Sequence, residues 1–222
     1  MHGALYSLIM KVYVYLHVCC INNWKEITTK LFTALRESGL HDAMTRLRCN
    51  LLTTNPEDAD WFTAWGDEKL ELLGIDSCLE HYETPTLCRL HEHAQQEDAY
   101  FLYLHTKGVK HRGEFPSITD WVEYLTYFMV YRHETCRAAL ATYDTVGVNL
   151  HRSEHTTHYS GNFWWSKSSY LRTLEPCVYV DYWSPEFWIT CKNQGNYLSL
   201  WDSHINHYVH RYEPRHYRED AS

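Results

Sequence analysis

Three short segments concentrate the residues able to do chemistry. In Tyr100 to Arg112 (YFLYLHTKGVKHR) an apolar run delivers His105, Thr106 and Lys107 to its carboxyl end, and Gly108 then lets the backbone turn. Lys107, Lys110, His111 and Arg112 follow one another closely in a chain that is acidic overall. Such a cluster suits an anion such as a diphosphate, whose charge must be neutralised as its bond to a sugar breaks. A solvated basic loop after a core strand is the plainer reading of the same residues. The second segment is His158 to Trp165 (HYSGNFWW). There Gly161 permits close backbone approach and Asn162 offers both a donor and an acceptor. Trp164 and Trp165 present flat faces on which the C–H side of a sugar could stack; a buried aromatic turn explains them equally. The third segment, Ser184 to Trp188 (SPEFW), sets Glu186 among apolar neighbours, which favours a raised carboxyl pKa and a general-base role. A first-turn helix residue near the positive dipole end would look the same.

Metal chemistry has weaker candidates. His151, His155 and His158 form one cluster and His204, His207 and His210 another, without paired cysteines or an HExxH pattern. Sixteen histidines cannot all be ligands. Most are read as surface or core residues, with His204 and His207 kept as minor metal candidates. A literal Asp58-Ala59-Asp60 follows the second strand and reads first as a solvated acidic loop.

These side chains need a scaffold, and 222 residues set a prior of one domain with a sizeable core. With 45% hydrophobic and 22% charged residues the chain is neither disordered nor low-complexity. Twenty-eight acidic against 20 basic residues give −8, which argues against nonspecific nucleic-acid binding. Eight cysteines without a CxxC pair, and no secretory signal, read as reduced thiols in the cytoplasm. Residues 1–9, with the alternating run after them, are too interrupted for a membrane span. They also lack the basic n-region and small-residue cleavage site of a signal peptide, and they read as an N-terminal extension. Residues 10–211 are the expected domain, and 212–222 a polar, frayed tail.

Residues 11–20 predict a strand, 24–38 a helix closed by Gly39, and 45–52 a second strand. Asn22 or Asn23 is expected to cap the first helix. Residues 55–65 read as irregular, a short strand is expected around 79–82, and Thr84-Pro85 opens a helix to about 95. Residues 99–104 predict a strand, and Ser117 with Asp120 a capping box for a long tract to about 142. A strand follows over 145–150, then a turn into helix over 163–174 and a short helix over 186–191. Strands alternating with helices predict an α/β layer with a mostly parallel sheet, whose ligands bind beyond the strand carboxyl ends.

The series LHTKG (104–108), a Trp121-containing helix, YDTVG (143–147), HYSGNFWW (158–165) and EFWI (186–189) resembles a glycosyltransferase family. That family occurs in bacterial surface-polysaccharide clusters and in large DNA viruses such as chlorella viruses. It is similar, more distantly, to rhamnan-synthesis protein F. The opening YLHVCCINNWKEI with its ESGL helix end fits too, so the likeness covers about residues 11–190. The resemblance implies a GT-A-like single domain that moves a sugar from a nucleotide-sugar donor to a glycan or glycoprotein. A non-catalytic carbohydrate-binding protein is the alternative.

The resemblance also implies site roles. Glu186 follows the Gly161–Trp165 segment in the order expected of a base and stands as the catalytic candidate, with Lys107 and His105 beside it. His17, Asn22, Glu83, Thr86, Thr106 and Gly108 are expected to hold the donor; His158, Gly161, Asn162, Trp164 and Trp165 the acceptor or sugar. GT-A-like enzymes usually hold a divalent metal, Mn or Mg, on an Asp-x-Asp after the central strand. Here His105-Thr106-Lys107 occupies that place, so metal use is an open expectation, with Asp58, Asp60, His204 and His207 as weak candidates and Lys107 as the substitute charge.

Overall fold

The computed structural model describes residues 10–154, 156–192 and 195–218; the extension expected over 1–9, His155 and the last four residues lie outside them. In chain order the elements are β1 (Lys11–Cys19), α1 (Trp24–Glu37), α2 (Leu40–Ala43), β2 (Arg46–Leu52), α3 (Asp58–Thr63), β3 (Leu70–Asp76), α4 (Thr84–Gln96) and β4 (Ala99–His105). There follow α5 (Pro116–Thr126), a π-helical turn (Tyr127–Tyr131), α6 (His133–Ala139), β5 (Thr145–Gly147), β6 (Leu150–Arg152) and β7 (Thr157–Tyr159). The last are β8 (Trp164–Lys167), α7 (Ser168–Leu171), α8 (Ser184–Trp188) and β9 (Tyr197–Ser199).

Seven strands make one sheet in the order β3-β2-β1-β4-β8-β5-β9, with β6 and β7 pairing as a separate hairpin. β1 lies parallel to β2 and β4, and β2 to β3; β8 alone runs antiparallel to its neighbours β4 and β5. This is an α/β domain with a mostly parallel sheet flanked by helices. Among the described residues no helix is long and apolar enough to cross a membrane.

Side-chain alternation along the strands explains both layers and the site. Val12, Val14, Leu16 and Val18 of β1 face the core under α1, α5 and the π turn, together with Leu102 and Leu104 of β4. Tyr13 and Tyr15 face the opposite core under α4 and α7, with Phe101 and Tyr103. His17 and His105 continue this second row and sit opposite each other in register at the strands' carboxyl ends. One period therefore fills two cores and then delivers two imidazoles to the sheet's edge.

Several local expectations are corrected. Residues 70–76 form β3, whereas the strand expected at 79–82 is a 3₁₀ turn over Leu79–His81. The acidic stretch contains α3, whose apolar side is pinned by Phe62 stacking on Trp24 at 5.7 Å. The tract from 117 divides at the π turn, and Phe115, not Ser117, occupies the N-cap. Asp120 is instead taken by the Arg211 guanidinium and the Tyr212 amide. With Tyr217 also buried, the described residues 212–218 are docked on the domain and are not a frayed tail. Within the turn into helix expected over 163–174, residues 164–167 form β8, because Trp164 and Trp165 alternate between the two cores, and the helix is the short α7. Neither Asn22 nor Asn23 caps α1 with its side chain.

Candidate active site

The parallel strands open a cleft at their carboxyl edge, as the topology requires. His17, Glu83, His105, Thr106, Lys107, Gly108, Asn162 and Glu186 all line it, in a volume of ≈ 170 Å³. A larger cavity of ≈ 580 Å³ lies between α1 and α5, beyond the Lys107–Gly108 turn. It shares that turn but gathers none of the other groups just named, so the chemistry belongs to the smaller cleft.

Lys107 leaves β4 through a tight turn in which Gly108 takes φ +85° and its α-carbon faces Ile118. The half-buried ammonium rests over the Trp121 ring, 4.0 Å from its centroid, with Tyr208 at 5.9 Å. Among the described residues no carboxylate reaches within ion-pairing distance of it. Burial pulls its pKa down while the charges of Glu186 and Glu83 pull it up, the net direction being downward. The cleft thus contains a cation that is desolvated and unpaired, which a bound anion would complete.

His105 is fixed by its second-row position. Its Nε2 lies 3.0 Å from the Gly161 carbonyl, which can only accept, so Nε2 carries the proton. Nδ1 lies 3.4 Å from a Glu83 carboxyl oxygen. Burial, reinforced by the Lys107 charge, lowers His105 to about 3, and burial raises Glu83. Both shifts favour the uncharged form of each group. Burial therefore disfavours a positive charge on His105. His17 is likewise neutral, lowered to about 3 by burial, and its Nδ1 lies 2.8 Å from the Thr86 hydroxyl.

Asn162 enters β8 with a positive φ, directly after Gly161 at φ +102°. Its side chain ties the cleft wall together: Oδ1 accepts from the Trp164 indole at 3.0 Å, and the amide reaches the Pro185 carbonyl at 3.5 Å. The Gly161 amide donates to Glu186 Oε1 at 3.2 Å, which aims the carboxylate across the cleft. A β-carbon at Gly161 would stand 2.7 Å from Leu125 Cδ1 and 3.2 Å from Trp121 Nε1. Gly161→Ala combines that clash with a disfavoured φ, so a loss of about 1–3 kcal/mol is expected in denaturant unfolding. Equal midpoints for variant and wild type would show that the segment is not held this tightly.

The other expected residues divide by burial. Trp164 and Trp165 are wholly buried, one in each core, and offer no face to a sugar; their indoles bond inward, Trp165 to the Met129 carbonyl at 2.8 Å. Thr86 and Thr106 are buried and structural, the Thr106 hydroxyl accepting from the Cys19 amide at 3.0 Å. Asn22 is outside the cleft, where it ties the 109–112 turn by bonds to the Val109 carbonyl and Arg112 Nε. His158 packs against Phe187 and His151 at ring distances of 5.1 and 5.2 Å.

The metal candidates do not converge. Asp58 accepts from the Thr53 hydroxyl at 2.6 Å, and Asp60 is exposed. His204 is exposed, whereas His207 is buried between Ser203 and Asn149 and stacks on Trp121 at 5.2 Å. Among the described residues no three His, Cys, Asp or Glu side chains form a group able to hold an ion. Beside Lys107 the donor set does not fit a metal.

The sequence missed the cleft's rim. Lys110 donates to the Tyr182 hydroxyl at 3.1 Å, and Tyr182 meets Tyr82 edge-on at 5.0 Å; Tyr208 closes the far side. Lys110 was legible within the basic segment, but no sequence pattern links tyrosines from three separate loops.

Buried imidazoles make stability pH-dependent. His17, His105 and His207 ionise near 6.5 when unfolded but are held by burial to about 3, 3 and 4 in the fold. Below pH 6.5 the unfolded chain binds more protons, so stability present above that value is lost as pH falls toward 4. Glu83, raised by burial, works in the opposite direction. The unfolding free energy from denaturant titrations should be level near neutrality and then fall by up to about 1.4 kcal/mol per histidine per pH unit. A free energy that stays level down to about pH 5 would contradict three neutral buried imidazoles.

Comparison with known proteins fits this architecture. The family model for a domain of unknown function, DUF8361, matches residues 22–185. The crystal structure of HddC from Yersinia pseudotuberculosis superposes with a TM-score of 0.52 at 10% identity, covering 86% of this chain and 90% of that one. A protein from Desulfovibrio desulfuricans G20, provisionally described as a nucleotide-diphospho-sugar transferase, overlaps at a TM-score of 0.49 and 10% identity, over 87% and 81% of the two chains. At such identity the HddC likeness shows a shared fold. Among curated proteins no match is found.

Proposed function

The chain belongs to the DUF8361 family, whose function is unknown, and on that footing we propose that it transfers a sugar from a nucleotide-sugar donor to a glycan or glycoprotein acceptor. The observation that carries this reading is Lys107: a desolvated ammonium, unpaired by any carboxylate among the described residues, facing a cleft that also holds Glu186 and Glu83. Lys107 takes the donor's diphosphate, with Gly108 allowing the close approach. Glu186 removes the proton from an acceptor hydroxyl, whose oxygen attacks the anomeric carbon. The bond from that carbon to the diphosphate breaks, the electron pair leaves with the diphosphate oxygen, and Lys107 neutralises the new charge. A single displacement of this kind inverts the anomeric centre. His105, with Glu83 beside its Nδ1, holds the Gly161 carbonyl in place behind the reacting groups.

No step requires a metal, since Lys107 supplies the charge that an Asp-x-Asp site would bring. Calorimetric titration of UDP and dTDP into the full chain tests the donor site, once in EDTA and once with manganese. Saturable binding of one of them in EDTA is expected. Absence of binding at millimolar nucleotide under both conditions overturns the transferase reading and leaves the carbohydrate-binding alternative.

A further inference from the structure

We propose that Tyr82, Tyr179, Tyr182 and Trp183 form an acceptor subsite that stacks an uncharged oligosaccharide beside the cleft; this deepens, and rests on, the transferase reading. The wholly buried Trp164 and Trp165 cannot touch a sugar, so any stacking surface must come from rings that reach solvent. Tyr179, Tyr182 and Trp183 are 39%, 43% and 49% exposed. They are not scattered: Tyr82 lies 6.1 Å from Tyr179 and 5.0 Å from Tyr182, and Tyr182 lies 5.0 Å from Trp183. Tyr82 and Tyr182 also line the cleft itself, so this wall is continuous with the place where the donor's sugar would react.

The wall is preformed. Asp181 Oδ1 accepts from the Trp183 amide, the Ser184 amide and the Ser184 hydroxyl, each at 2.9 Å. Trp183 lies nearly parallel to Phe187, at 14° and 6.3 Å, and remains half exposed. Rings held in this way stack a ligand at little further cost in ordering. Glu186 stands three residues after Trp183 in the same segment, so a chain lying on the rings brings its terminal hydroxyl toward that carboxylate.

Charge selects among acceptors. Glu80 and Asp181 both act on the Tyr179 hydroxyl and add to the rise that its burial produces. Lys110 is exposed and stands at the cleft end of the wall, its ammonium 5.1 Å over the Tyr182 ring and 3.1 Å from that residue's hydroxyl. The Tyr179–Trp183 end of the wall is therefore aromatic with an acidic fringe, and the one cation on its rings among the described residues, Lys110, stands at the Tyr182 end. It suits neutral hexose chains, whose C–H faces stack and whose hydroxyls can bond to carboxylates, and repels uronic-acid polymers.

The test uses the full chain, its Tyr179→Ala/Trp183→Ala variant and Trp183→Phe, titrated with cellohexaose, mannohexaose, chitohexaose and hexagalacturonate. Tryptophan fluorescence and saturation-transfer NMR report binding, and UDP affinity is measured in parallel. At least one neutral hexaose should bind, with affinity about tenfold weaker in the double variant and nearly kept in Trp183→Phe. Hexagalacturonate should bind at least about tenfold more weakly than the best neutral chain, and UDP should bind all three proteins alike. No hexaose binding, equal binding by the double variant, or preference for hexagalacturonate overturns the subsite. Absence of UDP binding with ring-dependent sugar binding overturns the transferase reading instead.

Discussion

Replacing Lys107 by methionine is expected to weaken nucleoside diphosphate binding by about two orders of magnitude, some 2.7 kcal/mol. Methionine keeps an unbranched stem over Trp121 but removes the charge, so the loss isolates the ammonium's hold on the diphosphate. Turnover should fall by a further factor of about 10²–10³, because leaving-group charge grows in the transition state. Stability should change little. The cation–ring attraction to Trp121 is worth about 0.5–2 kcal/mol, and its removal is offset by no longer burying a cation without a carboxylate partner. Calorimetry and denaturant unfolding of one preparation separate the two effects. A variant that binds UDP as well as wild type would remove Lys107 from the donor site.

Glu186→Gln should leave nucleotide affinity within about twofold while turnover falls by about 10²–10⁴, the usual range for losing a general base. Glutamine is isosteric and its carbonyl oxygen can still accept from the Gly161 amide, so the cleft wall should stay in place. Initial rates at saturating donor, with affinity measured separately, provide the check. Glu83 is the necessary comparison, since it lines the same cleft. It faces His105 Nδ1, and Glu83→Gln should cost much less because an amide can donate to that nitrogen. Abolished turnover in Glu83→Gln with retention in Glu186→Gln would exchange the two roles.

The layers of the fold were legible because strand period and helix caps are local. The alternation that puts Val14 and Tyr15 on opposite faces needs no knowledge of distant residues, and Gly39 does adopt the left-handed helix end its type suggests. Position within the site followed from the same logic: a run ending in His105-Thr106-Lys107 must present those groups where parallel strands terminate. Exposure was not legible. Trp164 and Trp165 read equally as platform or core, and only the antiparallel insertion of β8 between β4 and β5 settles that both faces are covered. Nor could spacing reveal that Asp120, three residues after Ser117, would be taken by Arg211 from the far end of the chain. The tyrosine rim escaped for the same reason, being assembled by tertiary packing between loops.

Two cavities share the Lys107–Gly108 turn, and the larger of them lies away from Glu186. The most direct measurement is a crystal structure with UDP bound in EDTA. The diphosphate is predicted within hydrogen-bond reach of Lys107 Nζ, in the cleft beyond the carboxyl ends of β1 and β4, with its terminal phosphate facing Glu186. A nucleotide seated in the α1–α5 cavity, or one whose phosphates avoid Lys107, would contradict the account.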